Sequence, residues 1–236
     1  MSAIRKRFYK EAAVGSSDGG FCVLLDGRKV KTPKGHDFIL PSRPLAQAVA
    51  REWAAQGDQI EPPTMPMMQL AATAIDRIGA ERAAILAELF GYCETDLLCY
   101  RAAHPADLVK RQAEAWQPVL DWAALHLDVP LTTTDGLLPI TQPAPSQAAL
   151  RAHLERQDDW RLAALSVTVA ATGSLLLGLA LAQGFIDGEA VVAASQLDER
   201  HQQNLWGEDE EAAERLAALA GDILAAERLL SLIQPV

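Results

Sequence analysis

Cysteine is scarce in this sequence: Cys22, Cys93 and Cys99 are the whole set among 236 residues. An odd and sparse trio builds no disulfide framework, and no apolar secretory stretch precedes it, so a reducing cytoplasm is the expected compartment. The G-x-S-x-G elbow, the phosphate-binding P-loop and the dinucleotide fingerprint are missing, so the common hydrolase and nucleotide chemistries have no motif behind them. Positive charge is in deficit as well. The 21 Lys and Arg against 31 Asp and Glu give a net charge of -10, which opposes non-specific attraction to phosphate backbones or anionic lipid. Nucleic acid is therefore not an expected partner, and no internal repeat is evident.

One long uncharged run is present. "LAALSVTVAATGSLLLGLAL", residues 162–181, is long enough to cross a bilayer. Eleven of its twenty residues are Ala, Gly, Ser or Thr, and its flanks lack an aromatic belt or a basic cluster, so a single buried helix is the expectation and a membrane span the alternative.

The remaining features are those of an ordinary globular chain, half apolar and 22% charged. Residues 1–34 carry eight Lys or Arg against three acids, a local +5, which leaves -15 on the rest. Within that basic part, "FCVLLDGRKVKTP" (21–33) alternates Phe21, Val23 and Leu25 before Asp26-Gly27, the strongest short hairpin signal available. "HDFIL" (36–40) can add a third strand after a turn at Lys34-Gly35, and the β content is expected to end there. From Ser42, Leu45, Val49 and Trp53 follow helical spacing, with Ser42 as cap and Gly57 as stop. The prolines of "EPPTMPMM" (61–68) suggest a connection, which places a domain boundary near residue 64. Beyond it the pattern is helical, punctuated by Pro105, Pro118, Pro130, Pro139, Pro143 and Pro145, with Ser146 and Asp158 or Asp159 as caps. The expected class is α+β: a small antiparallel β unit with one helix over residues 1–64, then an α-helical domain over 65–236 with about seven helices.

Candidate chemistry is thin. Cys93, Cys99 and His104 have a spacing that matches no common zinc pattern, so burial is expected and no metal or cofactor is implied. Asp76, Glu94 and Asp96 form the carboxylate set of a possible small soluble enzyme with a pocket in the helical domain. The alternative gives Asp96 a helix-cap role and pairs Asp76 with Arg101. Trp53, Trp116 and Trp122 are expected as structural anchors, the last two where helices meet around Pro118. In "NLWGEDEEAAERL" (204–216), Trp206 precedes Glu208, Asp209, Glu210 and Glu211. Acids in a first helical turn are favoured by the helix dipole. An aromatic beside several carboxylates is equally the composition of a surface that docks a basic partner, and both readings stand.

Several stretches together resemble one family, the assembly chaperones of F-type ATP synthase that handle the free α subunit of the catalytic head. They are "RFYK" (7–10), "LDGRKVKTP" (25–33), "EWAAQ" (52–56), "MPMMQLAATAID" (65–76), "YCETDLLCYR" (92–101), "QAEAWQPVLDW" (112–122) and "LWGEDEE" (205–211), in order along nearly the whole chain. The resemblance implies a non-enzymatic protein without cofactor. It would bind the unassembled α subunit, shield the surface that the β subunit later covers, and release it during assembly. It also implies a functionally sensitive glutamate in the acidic segment, with Glu208 and Glu210 as candidates. The absence of a mitochondrial presequence points to a bacterial cytoplasmic member, expected to be a monomer when free.

Overall fold

The computed structural model describes residues 5–136, 138–207 and 209–233. The α+β class is as expected, and the chain forms two compact units. One draws on the chain up to Arg82 and again from Arg228 onward; the other comprises Ala83–Glu227.

In the first unit, β1 (Arg5–Lys6), β2 (Ala12–Ser17), β3 (Gly20–Leu25) and β4 (Arg28–Lys29) precede α1 (Arg43–Ala54), and β5 (Gln59–Ile60) follows it. A three-stranded antiparallel sheet has the order β2-β3-β4, while β1 pairs with β5. The β3-β4 turn is built as the Asp26-Gly27 dipeptide predicts, with φ of 48° and 79°, and the Asp26 carboxylate also accepts from the N–H groups of Lys10 and Glu11. The β content does not end at residue 40, because β5 closes on β1, and β2 is the principal partner of β3. "HDFIL" forms only isolated bridges, Phe21 with Leu40 and Lys31 with Asp37. α1 covers the sheet with Leu45, Ala46 and Val49, and it starts at Ser42, whose Oγ accepts from Leu45 N. It stops at Ala55, before Gly57.

The prolines after residue 60 do not mark the division between units. Pro62–Thr64 is a 3-10 turn and Pro66 opens α2 (Pro66–Thr73), where a missing N–H costs nothing. The Glu52 carboxylate accepts from Met67 N at 2.7 Å and Met68 N at 2.8 Å, which ties α2 to α1. A π-turn (Ala74–Ile78) leads into α3 (Gly79–Gly91), kinked at Glu81, and the division between units falls just beyond that kink.

The second unit is helical: α4 (Ala106–His126), α5 (Ala144–Glu155), α6 (Asp159–Thr172), α7 (Leu175–Ala182), α8 (Gly188–Ser195), α9 (Leu197–Trp206) and α10 (Glu210–Ile233). α10 gives its residues up to Glu227 to this unit. From Pro66 onward there are nine α-helices among the described residues, more than the seven expected. Pro118 lies inside α4, so Trp116 and Trp122 share one helix instead of flanking a junction. Ser146 is not a cap; its Oγ donates to Pro130 O from within α5.

The uncharged run is two helices. α6 ends at Gly173 in the left-handed conformation (φ 67°), and Ser174 begins α7 by accepting from Leu177 N. What fixes the break is Asp96, with no solvent exposure. Its carboxylate accepts from Ser174 Oγ at 2.7 Å, Leu176 N at 3.0 Å and Leu98 N at 3.1 Å, and Leu97 N donates to Gly173 O beside it. Gly178 lets the two helices close up: a Cβ there would stand 2.8 Å from Val169 Cγ2. Among the described residues no helix is long and apolar enough to cross a membrane.

Asp96→Ala strands three buried donors, each costing about 1–3 kcal/mol when unsatisfied. We expect stability in urea unfolding to fall by about 3–5 kcal/mol; a loss below about 1 kcal/mol contradicts the role assigned to this carboxylate.

Candidate functional site

The second unit carries its most conspicuous exposed apolar surface at the end of α9. Leu205 and Trp206 are 60% and 79% exposed, adjacent, and the last residues of a helix that is polar from Asp198 to Asn204. Solvation would favour the reverse, since a buried Trp gains the most from leaving water. The helix is held firmly behind them. Gln112 Nε2 donates to Asp198 Oδ1 at 2.8 Å, Gln196 Nε2 donates to Leu216 O at 2.7 Å, and buried His201 sets Nδ1 3.6 Å from the Asp107 carboxylate.

Gly207 then ends the helix with φ of 93°, a conformation costly for any residue with a Cβ. Asp209 stands at the head of α10: its carboxylate accepts from Glu211 N at 3.0 Å and its carbonyl from Ala213 N at 2.9 Å. Asp209 is thus engaged in starting the helix, while Glu210 and Glu211 lie exposed in its first turn, where the dipole favours them. Glu208 lies outside the described residues. The arrangement is an exposed aromatic and aliphatic pair beside a negative helix start, the chemistry of a protein-binding surface rather than of bond making. Leu205 was missed in the sequence; its signal was two successive large apolar residues where a polar helix runs out.

The other singled-out residues are engaged in packing. Trp116 is fully buried and its Nε1 donates to Ala194 O at 2.9 Å. Trp122 stacks on Phe185 with ring centroids 4.9 Å apart. Trp53 meets the Tyr9 ring edge to face, and its carbonyl accepts from Tyr9 Oη at 2.7 Å. Burial pushes the Cys93 thiol up to about 11 and Cys99 to about 12, so both stay protonated at neutral pH and neither is an activated nucleophile. Among the described residues no group of three His, Cys, Asp or Glu is placed to hold a metal ion.

The carboxylate set expected of an enzyme is dispersed over structural tasks. Asp96 is sealed, and burial raises its pKa against the opposing effect of the Leu176, Ser174 and Leu98 donors. Glu94 is exposed, with its carbonyl accepting from Tyr100 Oη. Asp76 and Arg101 are each engaged within their own unit. Asp76 clamps the turn at Lys34, accepting from Lys34 N at 3.0 Å and meeting His36 Nδ1 at 2.7 Å. Arg101 donates to Leu98 O and Gln112 O. The Asp76 pKa is lowered: desolvation raises it, and the Thr32, Lys34 and His36 hydrogen bonds outweigh that.

Comparison with known proteins gives one family match and several similar structures and relatives. The sequence profile of a family described as ATP12 chaperone protein matches residues 6–124. The crystal structure of Atp12 from Paracoccus denitrificans is 39% identical, with a TM-score of 0.92 over 97% of this chain and 98% of that one; an aspartate-to-lysine mutant of it matches equally well. The structure of a candidate chaperone from Agrobacterium tumefaciens is also 39% identical, with a TM-score of 0.93 over 98% of this chain and 87% of that one. The mitochondrial protein atp12 of Schizosaccharomyces pombe is 27% identical over 89% of this chain and 76% of its own length. The family profile stops short of α9, whereas the structural matches extend over it.

Because the folded-state pKa of Asp76 is depressed, its stabilising contribution is present above the ordinary Asp value of about 3.9 and lost as pH falls through the folded value. Asp76→Asn should therefore lower the melting temperature at pH 7 and approach wild type in strong acid. A difference that grows on acidification contradicts the clamp.

Proposed function

Since the chain belongs to the family of ATP12 chaperone proteins, we propose that it is an assembly chaperone for F-type ATP synthase. In this reading it binds the unassembled α subunit, covers the face that the β subunit later occupies, and gives it up as the catalytic head forms. The observation that carries the reading is the exposed Leu205-Trp206 pair set against Glu210 and Glu211 on a rigid helical seat. An isolated ring subunit exposes partly apolar interface and is prone to aggregate, and a folded binder that offers an aromatic anchor with a charged rim can mask it. Trp206 supplies the anchor, with Glu208, Asp209, Glu210 and Glu211 as the acidic rim. The rim speeds encounter with a basic surface and selects against acidic ones.

Holding of this kind needs no bond chemistry, so no catalytic step and no cofactor belong to the proposal. It needs only an affinity that the β subunit can exceed for the same surface. The site of action is the bacterial cytoplasm, where the subunits are made, and the free protein acts as a monomer.

The test is size-exclusion co-elution with isolated α subunit, isolated β subunit and assembled head. Wild type should co-elute with α alone. Trp206→Ala should weaken that complex by about 2 kcal/mol, roughly thirtyfold, and Glu210→Lys or Glu211→Lys should slow association. All three should fold within about 0.5 kcal/mol of wild type, since the side chains are exposed. Normal capture of α by Trp206→Ala and both charge reversals removes this surface from the mechanism.

A further inference from the structure

A second feature lies in the first unit and has no part in the surface just described. A groove of about 980 Å³ opens beside β4, and six consecutive residues, Arg28–Pro33, form one wall. Its floor is apolar, with Trp53, Ile60, Met65 and Met68. Phe8 stands at its edge, 68% exposed. The lining carries three cations, Arg28, Lys29 and Lys31, against the single carboxylate of Asp26. That carboxylate is already committed to the N–H groups of Lys10 and Glu11. Lys31 has an exposed ion pair with Asp37 at 3.4 Å, so Arg28 and Lys29 are the stronger source of positive potential. In a chain of net charge -10 the groove is a local exception.

The backbone along that wall is also incompletely used. β4 is an edge strand. Val30 N donates to Val23 O, and the register sets Lys29 opposite Leu24. Antiparallel pairs alternate between bonded and non-bonded, so the N–H and C=O of Lys29 turn outward, away from β3. Cations on an edge strand commonly serve only to keep edges apart. Here an apolar trough runs beside the edge, and the groove includes Trp53, whose buried indole N–H finds no acceptor.

We propose that this groove binds an extended acidic segment of the client subunit by strand addition to β4. Its acidic side chains meet Arg28 and Lys29, and an alternate bulky apolar side chain enters the trough over Met65 and Met68. Main-chain pairing gives the affinity, while the trough and the cationic rim select the sequence. The identity of the client rests on the chaperone reading; the chemistry of the groove does not.

The experiment uses two fluorescein-labelled ten-residue probes, one alternating Glu with Leu and carrying a central Phe, the other with Lys in place of every Glu. Fluorescence anisotropy at low salt should show the acidic probe binding wild type at least tenfold more tightly than the basic one. The doubly substituted Arg28→Glu, Lys29→Glu protein should lose at least tenfold for the acidic probe, and that loss should shrink at high salt. Met68→Asp, a change on the floor, should weaken the acidic probe without reversing the charge preference. Equal binding of the two probes, or an unchanged affinity in the doubly substituted protein with a wild-type melting curve, overturns the proposal. Capture of isolated α subunit by wild type is measured in parallel. If α is captured and the acidic probe does not bind, the groove proposal fails and the chaperone reading survives. If the probe binds as expected and α is not captured, the groove stands and the identity of the client falls.

Discussion

The helical unit depends on one carboxylate. Asp96 is removed from water, where an ionised or hydrogen-bonding group is costly, and the cost is met by donors from two places far apart in sequence: Leu98 nearby, and Ser174 with Leu176 about 80 residues on. The consequence is geometric. A run of twenty uncharged residues, which left alone has every reason to continue as one helix, is bent at Gly173 into two helices that close against each other at Gly178. α7 has seven buried residues of its eight, and its burial depends on where that bend falls. α4 packs on α7 and carries Trp116 to α8 and Gln112 to α9.

Rigidity at the centre sets what the end of α9 can do. A large aromatic side chain held in water at the tip of a loose helix would collapse onto the nearest apolar surface. Here Gln112, Gln196 and His201 fix the helix that bears Trp206, and Gly207 ends it. A side chain carried on an already ordered helix binds at lower entropic cost than one whose backbone must first be ordered. The acidic start of α10 lies next in the chain, four residues beyond the aromatic. The groove beside β4 has the opposite charge and a different mode of contact, backbone edge in place of side-chain tip.

Much of the first unit is legible in the sequence because its signals are local. Asp26-Gly27 demands a tight turn whatever surrounds it, and Ser42 before an apolar stripe announces α1. β2 was not legible: Ala, Ala, Val, Gly, Ser and Ser offer no alternation, and the strand exists because β3 lies next to it and α1 packs over both. The break in residues 162–181 had a visible glycine but an invisible cause, since the clamp lies far upstream. Pro118 misled for the reason that Pro62 and Pro66 did: a proline limits the backbone donor at one position, and whether that ends an element depends on whether the donor was needed there. At the candidate site, the acids and Trp206 could be read from composition, but the exposure of Leu205 and the capping role of Asp209 follow only from the fold.

The first unit is assembled from two separated pieces of chain, with Ser42 Oγ donating to Leu232 O across them. During synthesis, at roughly 5–20 residues per second, the sheet and α1 emerge first, and then wait while the whole of the second unit is translated. Buried Leu229 and Leu230 arrive only after Glu227. A nascent chain therefore exposes part of an unfinished core until the residues after Glu227 have emerged. A chaperone itself passes through such a vulnerable interval, and translation of α10 is the event that ends it.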